Sequence, residues 1–148
     1  MFAPKHILVP TDFSKFSDKA RKEAIDIAKQ HGSTIHLLLV INIVEKCTVD
    51  YCLDKTMVVA FGKQITESAK KRMAEETDKL PESKEVKIIP EVRKGTPYEE
   101  ILKVEKDKKI DLVVIASHGT TGLLHYFIDS VTEKVTKGAK CPVLLIRG

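Results

Sequence analysis

The sequence predicts an α/β fold: an open, five-stranded parallel sheet with helices on both faces. Three observations lead there. Short apolar runs alternate with segments of helical periodicity along the whole chain. Two of the runs, Ile35–Ile41 and Leu112–Ile115, are almost continuously apolar, as strands covered on both faces require. The connections between segments are short, so the strands run parallel and are joined by right-handed crossovers.

The elements follow in order. His6-Ile7-Leu8-Val9-Pro10 is a buried strand ended by proline. Residues 17–31 place Ala20, Ala24, Ile27 and Ala28 on one helical stripe, with Ser14 or Ser17 as the cap and Gly32 after the end. Residues 35–41 form the second strand. Residues 42–54 are irregular, and residues 55–79 form a long helix with Val58, Phe61, Ile65, Ala69 and Met73 on its apolar face. Leu80-Pro81-Glu82-Ser83 breaks the chain. Residues 86–92 form the third strand, placed at an edge by Pro90. Thr96 caps the next helix, with Pro97 at its first position and acids in its first turn; it ends near Lys109. The fourth strand spans Asp111 to Ser117, the last helix residues 130–138, and the fifth strand Cys141 to Ile146.

Composition narrows the function. The chain has 148 residues, 43% hydrophobic and 31% charged, enough for one domain over residues 1–148 with a real core. Net charge is +4, with acids beside each basic cluster, which argues against a nucleic-acid surface. No apolar run approaches the ~20 residues of a membrane span, and the N-terminus lacks a signal segment. The expected location is therefore cytoplasmic. Cys47, Cys52 and Cys141 are an odd set without CxxC spacing, which argues against a disulfide framework and against zinc. Cys47 and Cys52 remain a candidate redox pair. His6, His31, His36 and His125 have no metal-ligand spacing, and His118 reads as a turn residue.

In open sheets, ligands sit beyond the carboxyl ends of the strands, where the strand order switches direction. Two segments should meet there: Pro10-Thr11-Asp12 after the first strand and Ala116-Ser117-His118-Gly119 after the fourth. Nine residues after Gly119 come Asp129 and Ser130, and Ser130-Val131-Thr132-Glu133 has the form of a capping box. A strand, a glycine-containing loop and a helix N-terminus form a generic phosphate cradle, because close backbone N–H groups bind phosphate oxygens.

The chain resembles the universal stress protein family along essentially its whole length. The resemblance rests on Ile7-Leu8-Val9-Pro10-Thr11-Asp12-Phe13-Ser14, Gly95-Thr96-Pro97, Ser117-His118-Gly119, Thr121-Gly122-Leu123, Ser130 to Val135, and Cys141-Pro142-Val143-Leu144. It implies a Rossmann-like sheet of order 3-2-1-4-5, similar to adenine nucleotide alpha hydrolases, and an adenine-nucleotide site for ATP or AMP, with Mg2+ accompanying the nucleotide. By the same resemblance Asp12 contacts the ribose or adenine region, together with Pro10 and Thr11. Val40 and Ile41 approach the adenine, Ala116 and Gly119 line the phosphate path, and Ser130 and Val131 cradle the phosphates. The nucleotide-binding branch of the family carries Gly, two residues, Gly, nine residues, Gly, then Ser or Thr. Here Ala116 and Asp129 replace the first and third glycines at unchanged spacing.

Ala116 adds one methyl group. Asp129 adds a charge, and two unit charges ~4 Å apart at an effective dielectric of ~20 repel by about 4 kcal/mol. Three readings of Asp129 stay open. It weakens binding of a triphosphate, it occupies the positive helix end in place of a phosphate, or a divalent cation bridges it to phosphate oxygens. The function expected is a regulatory, stress-sensing module with a nucleotide site weakened at Asp129. The alternatives are a dimeric interaction protein without nucleotide and a slow ATP hydrolase. No Walker loop, no ATP-pyrophosphatase loop after the first strand, no phosphoacceptor pattern and no catalytic triad is present. Val143-Leu144-Leu145-Ile146 would leave a bare hydrophobic edge. The family commonly pairs through that strand, which implies a homodimer across residues 142–147.

Overall fold

The structure, a computed structural model, describes residues 1–42, 55–117 and 125–147; for residues 55–58, 61 and 125–129 it describes the backbone alone. The candidate redox pair Cys47 and Cys52, and His118 and Gly119, lie outside the described residues. The strands are β1 (His6–Pro10), β2 (Thr34–Ile41), β3 (Ile88–Lys94), β4 (Leu112–Ala116) and β5 (Val143–Ile146). The helices are α1 (Lys15–His31), α2 (Lys55–Asp78), α3 (Pro97–Asp107) and α4 (His125–Gly138). All four strand pairings are parallel, in the order β3-β2-β1-β4-β5. This is the predicted fold class and order.

Strand alternation divides the core into two layers. Ile7, Val9, Ile35, Leu37, Leu112 and Val114 point to one face and meet Ala20, Ala24, Ile25 and Ala28 of α1 and Met73 of α2. Leu8, Leu38, Val113 and Ile115 point to the other and meet Ile101 and Val104 of α3 and Val135 of α4. Leu8 and Val113 are adjacent in the β1–β4 register, and both are fully buried.

Local chemistry fixes most boundaries. Ser14 caps α1 by accepting the Ser17 N–H at 3.2 Å, and Gly32 ends it in the left-handed region, with φ 66°. Thr96 and Pro97 start α3 as expected, although the Thr96 hydroxyl makes no capping bond. Asp111 holds the start of β1, its Oδ2 accepting the N–H groups of Lys5 at 2.8 Å and His6 at 2.9 Å. Glu105 on α3 does the same for the approach to β5, its Oε1 accepting the N–H groups of Lys140 at 2.6 Å and Cys141 at 3.0 Å.

Three expectations are corrected. β3 begins at Ile88 rather than Val86, because a 3-10 turn over Pro81–Lys84 is still closing there: the N–H groups of Glu85 and Val86 both reach the Glu82 carbonyl at 2.9 Å. The sheet-facing side of α2 includes Thr66 and Thr77, both buried. Their hydroxyls donate to the carbonyls of Gly62 and Met73 at 2.7 Å, so these polar residues enter the core with their hydrogen bonds satisfied. The last helix begins at His125 rather than Ser130. No glycine or proline stands between Gly122 and Asp129 to stop it, and Ser130 lies inside the helix rather than at its cap.

His36 on β2 is buried, 7% exposed, and its Nε2 lies 3.3 Å from Nδ1 of His6. Burial, then the charges of His6 and Lys108, push its pKa below the ordinary 6.5, against a smaller opposing pull from Glu91. The folded chain therefore resists a proton that the unfolded chain accepts. The contribution of His36 to stability is full above pH 6.5 and declines as the pH falls below that value.

Two measurements check this description. Leu8→Ala should lower the unfolding free energy by about 2–5 kcal/mol in urea titrations, and a loss well under 1 kcal/mol would contradict the double-sided core. His36→Gln should flatten the fall in stability as the medium is acidified below pH 6.5; an unchanged slope would show that another group sets it.

Candidate functional site

A cleft of about 190 Å³ opens at the carboxyl ends of β1, β2 and β4. Its wall comes from Pro10, Thr11 and Asp12 after β1, Val40 near the end of β2, and Ile115 and Ala116 on β4. Pro97 and Ile101 of α3, Ser17 of α1, and Val131 and Thr132 of α4 complete it. The two segments expected to meet at the switch point do so.

Backbone bonds hold the rim. The Thr11 N–H donates to the Leu38 carbonyl at 2.8 Å, so β1 stays paired to β2 up to the cleft. The Ser117 N–H donates to the Ile146 carbonyl at 2.9 Å, which fixes the end of β4 against β5. The Thr132 hydroxyl donates to the Ala116 carbonyl at 3.1 Å and ties α4 to the strand end. The β1–α1 loop is built from side chain-to-backbone bonds. Asp12 Oδ1 accepts the Ser14 N–H at 2.9 Å, and Thr11 Oγ1 accepts the Phe13 N–H at 3.1 Å while lying 3.2 Å from Ser17 Oγ. These bonds keep Phe13 at φ 63°, a region few side chains adopt. Asp12 thus lines the cleft and also braces the turn.

The remaining candidates are distributed differently. Ile41 does not line the cleft. It is buried on the face opposite Val40, because side chains alternate along a strand, and its carbonyl accepts the Gly95 N–H at 2.9 Å. Val131 lines the cleft, and Ser130, one residue earlier on α4, is not among its lining residues. Asp129 is the fifth residue of α4. Only the first four N–H groups of a helix lack partners within it, so the N–H groups of Ser130 and Val131 belong to the helical ladder rather than to its open end.

Ser17, Pro97, Ile101, Ile115 and Thr132 line the cleft but are not among the site residues expected from the sequence. Pro97 stood inside the Gly95-Thr96-Pro97 motif, which was a usable signal. Thr132 stood inside the Ser130 to Val135 motif, but its bond to the Ala116 carbonyl, 16 residues away, is visible only in the fold. Among the described residues, no cluster of His, Cys, Asp or Glu could hold a metal ion. Burial, then the neighbouring Glu105 carboxylate, pushes the Cys141 thiol up to about 11, which leaves it protonated and unreactive at neutral pH.

The sequence model of the Universal stress protein family matches residues 4–147. The chain belongs to the universal stress protein family. Two relatives come from Methanocaldococcus jannaschii. Universal stress protein MJ0531 is 33% identical over 143 residues, covering 97% of this chain and 82% of its own length. Universal stress protein MJ0577 is 32% identical over 154 residues, covering 97% of this chain and 94% of its own. The solved structure of MJ0577 superposes with a TM-score of 0.82, over 97% of this chain and 96% of that one. A universal stress protein family structure from Arabidopsis thaliana with AMP bound shares the fold, with a TM-score of 0.55 at 18% identity, over 97% of this chain and 91% of that one. No helix among the described residues is long and apolar enough to cross a membrane.

Proposed function

We propose that this universal stress protein holds an adenine nucleotide in the cleft and acts as a cytoplasmic regulatory, stress-sensing module, with AMP favoured over ATP. The observation that carries the reading is the lining of the cleft at the switch point. Pro10, Val40, Pro97, Ile101 and Val131 supply flat apolar contact for a base, and Asp12 supplies a carboxylate for ribose hydroxyls. The AMP-bound relative of the same fold supports this ligand class.

The preference for AMP rests on α4. Its start at His125 draws the N–H groups of Ser130 and Val131 into helical bonds, which removes two donors a triphosphate would use. Asp129 adds a negative charge to the same stretch, with repulsion reaching about 4 kcal/mol at ~4 Å and an effective dielectric of ~20. Ala116 and Gly119 remain on the proposed phosphate path. Mg2+ belongs to this reading only as a bridge between Asp129 and phosphate.

A homodimer through residues 142–147 is proposed alongside it. β5 is an outer strand of the sheet, and Leu144 and Leu145 are 38% and 40% exposed, an apolar edge that a second copy would cover.

Calorimetric titration tests the ligand. AMP should bind the wild type at least about tenfold more tightly than ATP, and Asp129→Gly should close that gap. Equal ATP binding by both proteins, with no advantage for AMP, would refute the reading; magnesium rescue of ATP binding in the wild type alone would point to the bridging cation instead. Light scattering tests the dimer. The wild type should have twice the chain mass at micromolar concentration, and Leu144→Lys with Leu145→Lys should give the monomer. A monomeric wild type would overturn this interface.

A further inference from the structure

A second pocket, of about 160 Å³, lies on the α1–α2 face of the sheet, behind the β1–α1 loop. Arg21 of α1, Arg72 of α2 and Lys79 just beyond α2 line it, with Asp18, Glu76, Phe13 and Thr11. We infer that this pocket is a binding site for a small oxyanion of the phosphate class, held between Arg21 and Arg72.

Three features point there. First, Arg21 is only partly satisfied. Its Nη1 pairs with Asp18 Oδ1 at 2.9 Å, while its Nε is buried with no hydrogen-bond partner. An unmet buried donor is unfavourable, the more so on a charged group. Second, Arg72 sits over the Phe13 ring, with its guanidinium carbon 4.1 Å from the ring centroid. A cation held on a ring face keeps its N–H donors available for an oxyanion. Among the described residues neither Arg72 nor Lys79 has an ion-pair partner. Third, three cations against two carboxylates leave the charged lining at net +1, with one carboxylate already taken by Arg21. Arg21, Arg72 and Lys79 line the same pocket, so an oxyanion there would be met by cationic donors from three residues.

The pocket is separate from the nucleotide cleft, and the inference does not rest on that reading. The two share Thr11 alone.

NMR of the intact protein tests the site, with inorganic phosphate and pyrophosphate as probes at constant ionic strength. The Arg21 Nε–H resonance and the Phe13 and Arg72 amides should shift and saturate at millimolar anion. They should do so equally in protein preloaded with adenosine, which separates this site from the cleft. Arg72→Gln should weaken the response about tenfold or more, and Lys22→Gln, at the exposed residue after Arg21 in α1, should leave it unchanged. An Arg21 Nε–H resonance that does not move under either anion would overturn the proposal without recourse to any variant. So would shifts that do not saturate, or that Arg72→Gln leaves intact.

Discussion

The structure depends on β1 being enclosed on four sides. β2 and β4 pair with its two edges, α1 covers one face, and α3 and α4 cover the other. Ile7, Leu8 and Val9 are fully buried, so the side chains at the centre of this strand are committed to packing. Only the end of β1 is open. From there the chain builds β2 and β3 to one side, then crosses back to build β4 and β5 on the other. The strand ends diverge at that reversal, and the cleft is the space they leave.

The β1–α1 loop converts this geometry into chemistry. Asp12 faces the cleft while it accepts the Ser14 N–H, and Ser14 in turn caps α1. Thr11 borders both pockets, and Phe13, held at positive φ, carries Arg72 on its ring. This four-residue loop therefore presents a carboxylate to the cleft and, through the Phe13 ring, carries the Arg72 guanidinium at the second pocket. The tie from Thr132 to the Ala116 carbonyl plays the matching role across the cleft, where it fixes the approach of α4.

The fold was legible because its signals were redundant. Two-sided burial made β2 and β4 read as continuous apolar runs, Pro90 marked the edge strand, and Gly32 and Pro97 marked helix ends. The cleft was legible where strand ends defined it, at Thr11, Asp12, Val40 and Ala116. It differs where one residue of alternation matters: Val40 lines the cleft, and Ile41, the next residue along β2, is buried away from it. The capping-box pattern at Ser130 competed with an unbroken helical stretch from His125, and the longer helix prevailed. Thr66 and Thr77 escaped an apolar count because their hydroxyls are satisfied by their own helix. Thr132 and Arg21 needed the tertiary structure, because their partners and surroundings come from distant segments.

The central claim is that adenosine occupies the divergence between β1 and β4. Amide chemical-shift mapping with AMP tests it most directly. The account predicts saturable shifts at Thr11, Asp12, Val40, Ala116 and Val131, with Ile88 to Lys94 of β3 unmoved. Shifts centred elsewhere, or none at saturating AMP, would contradict it.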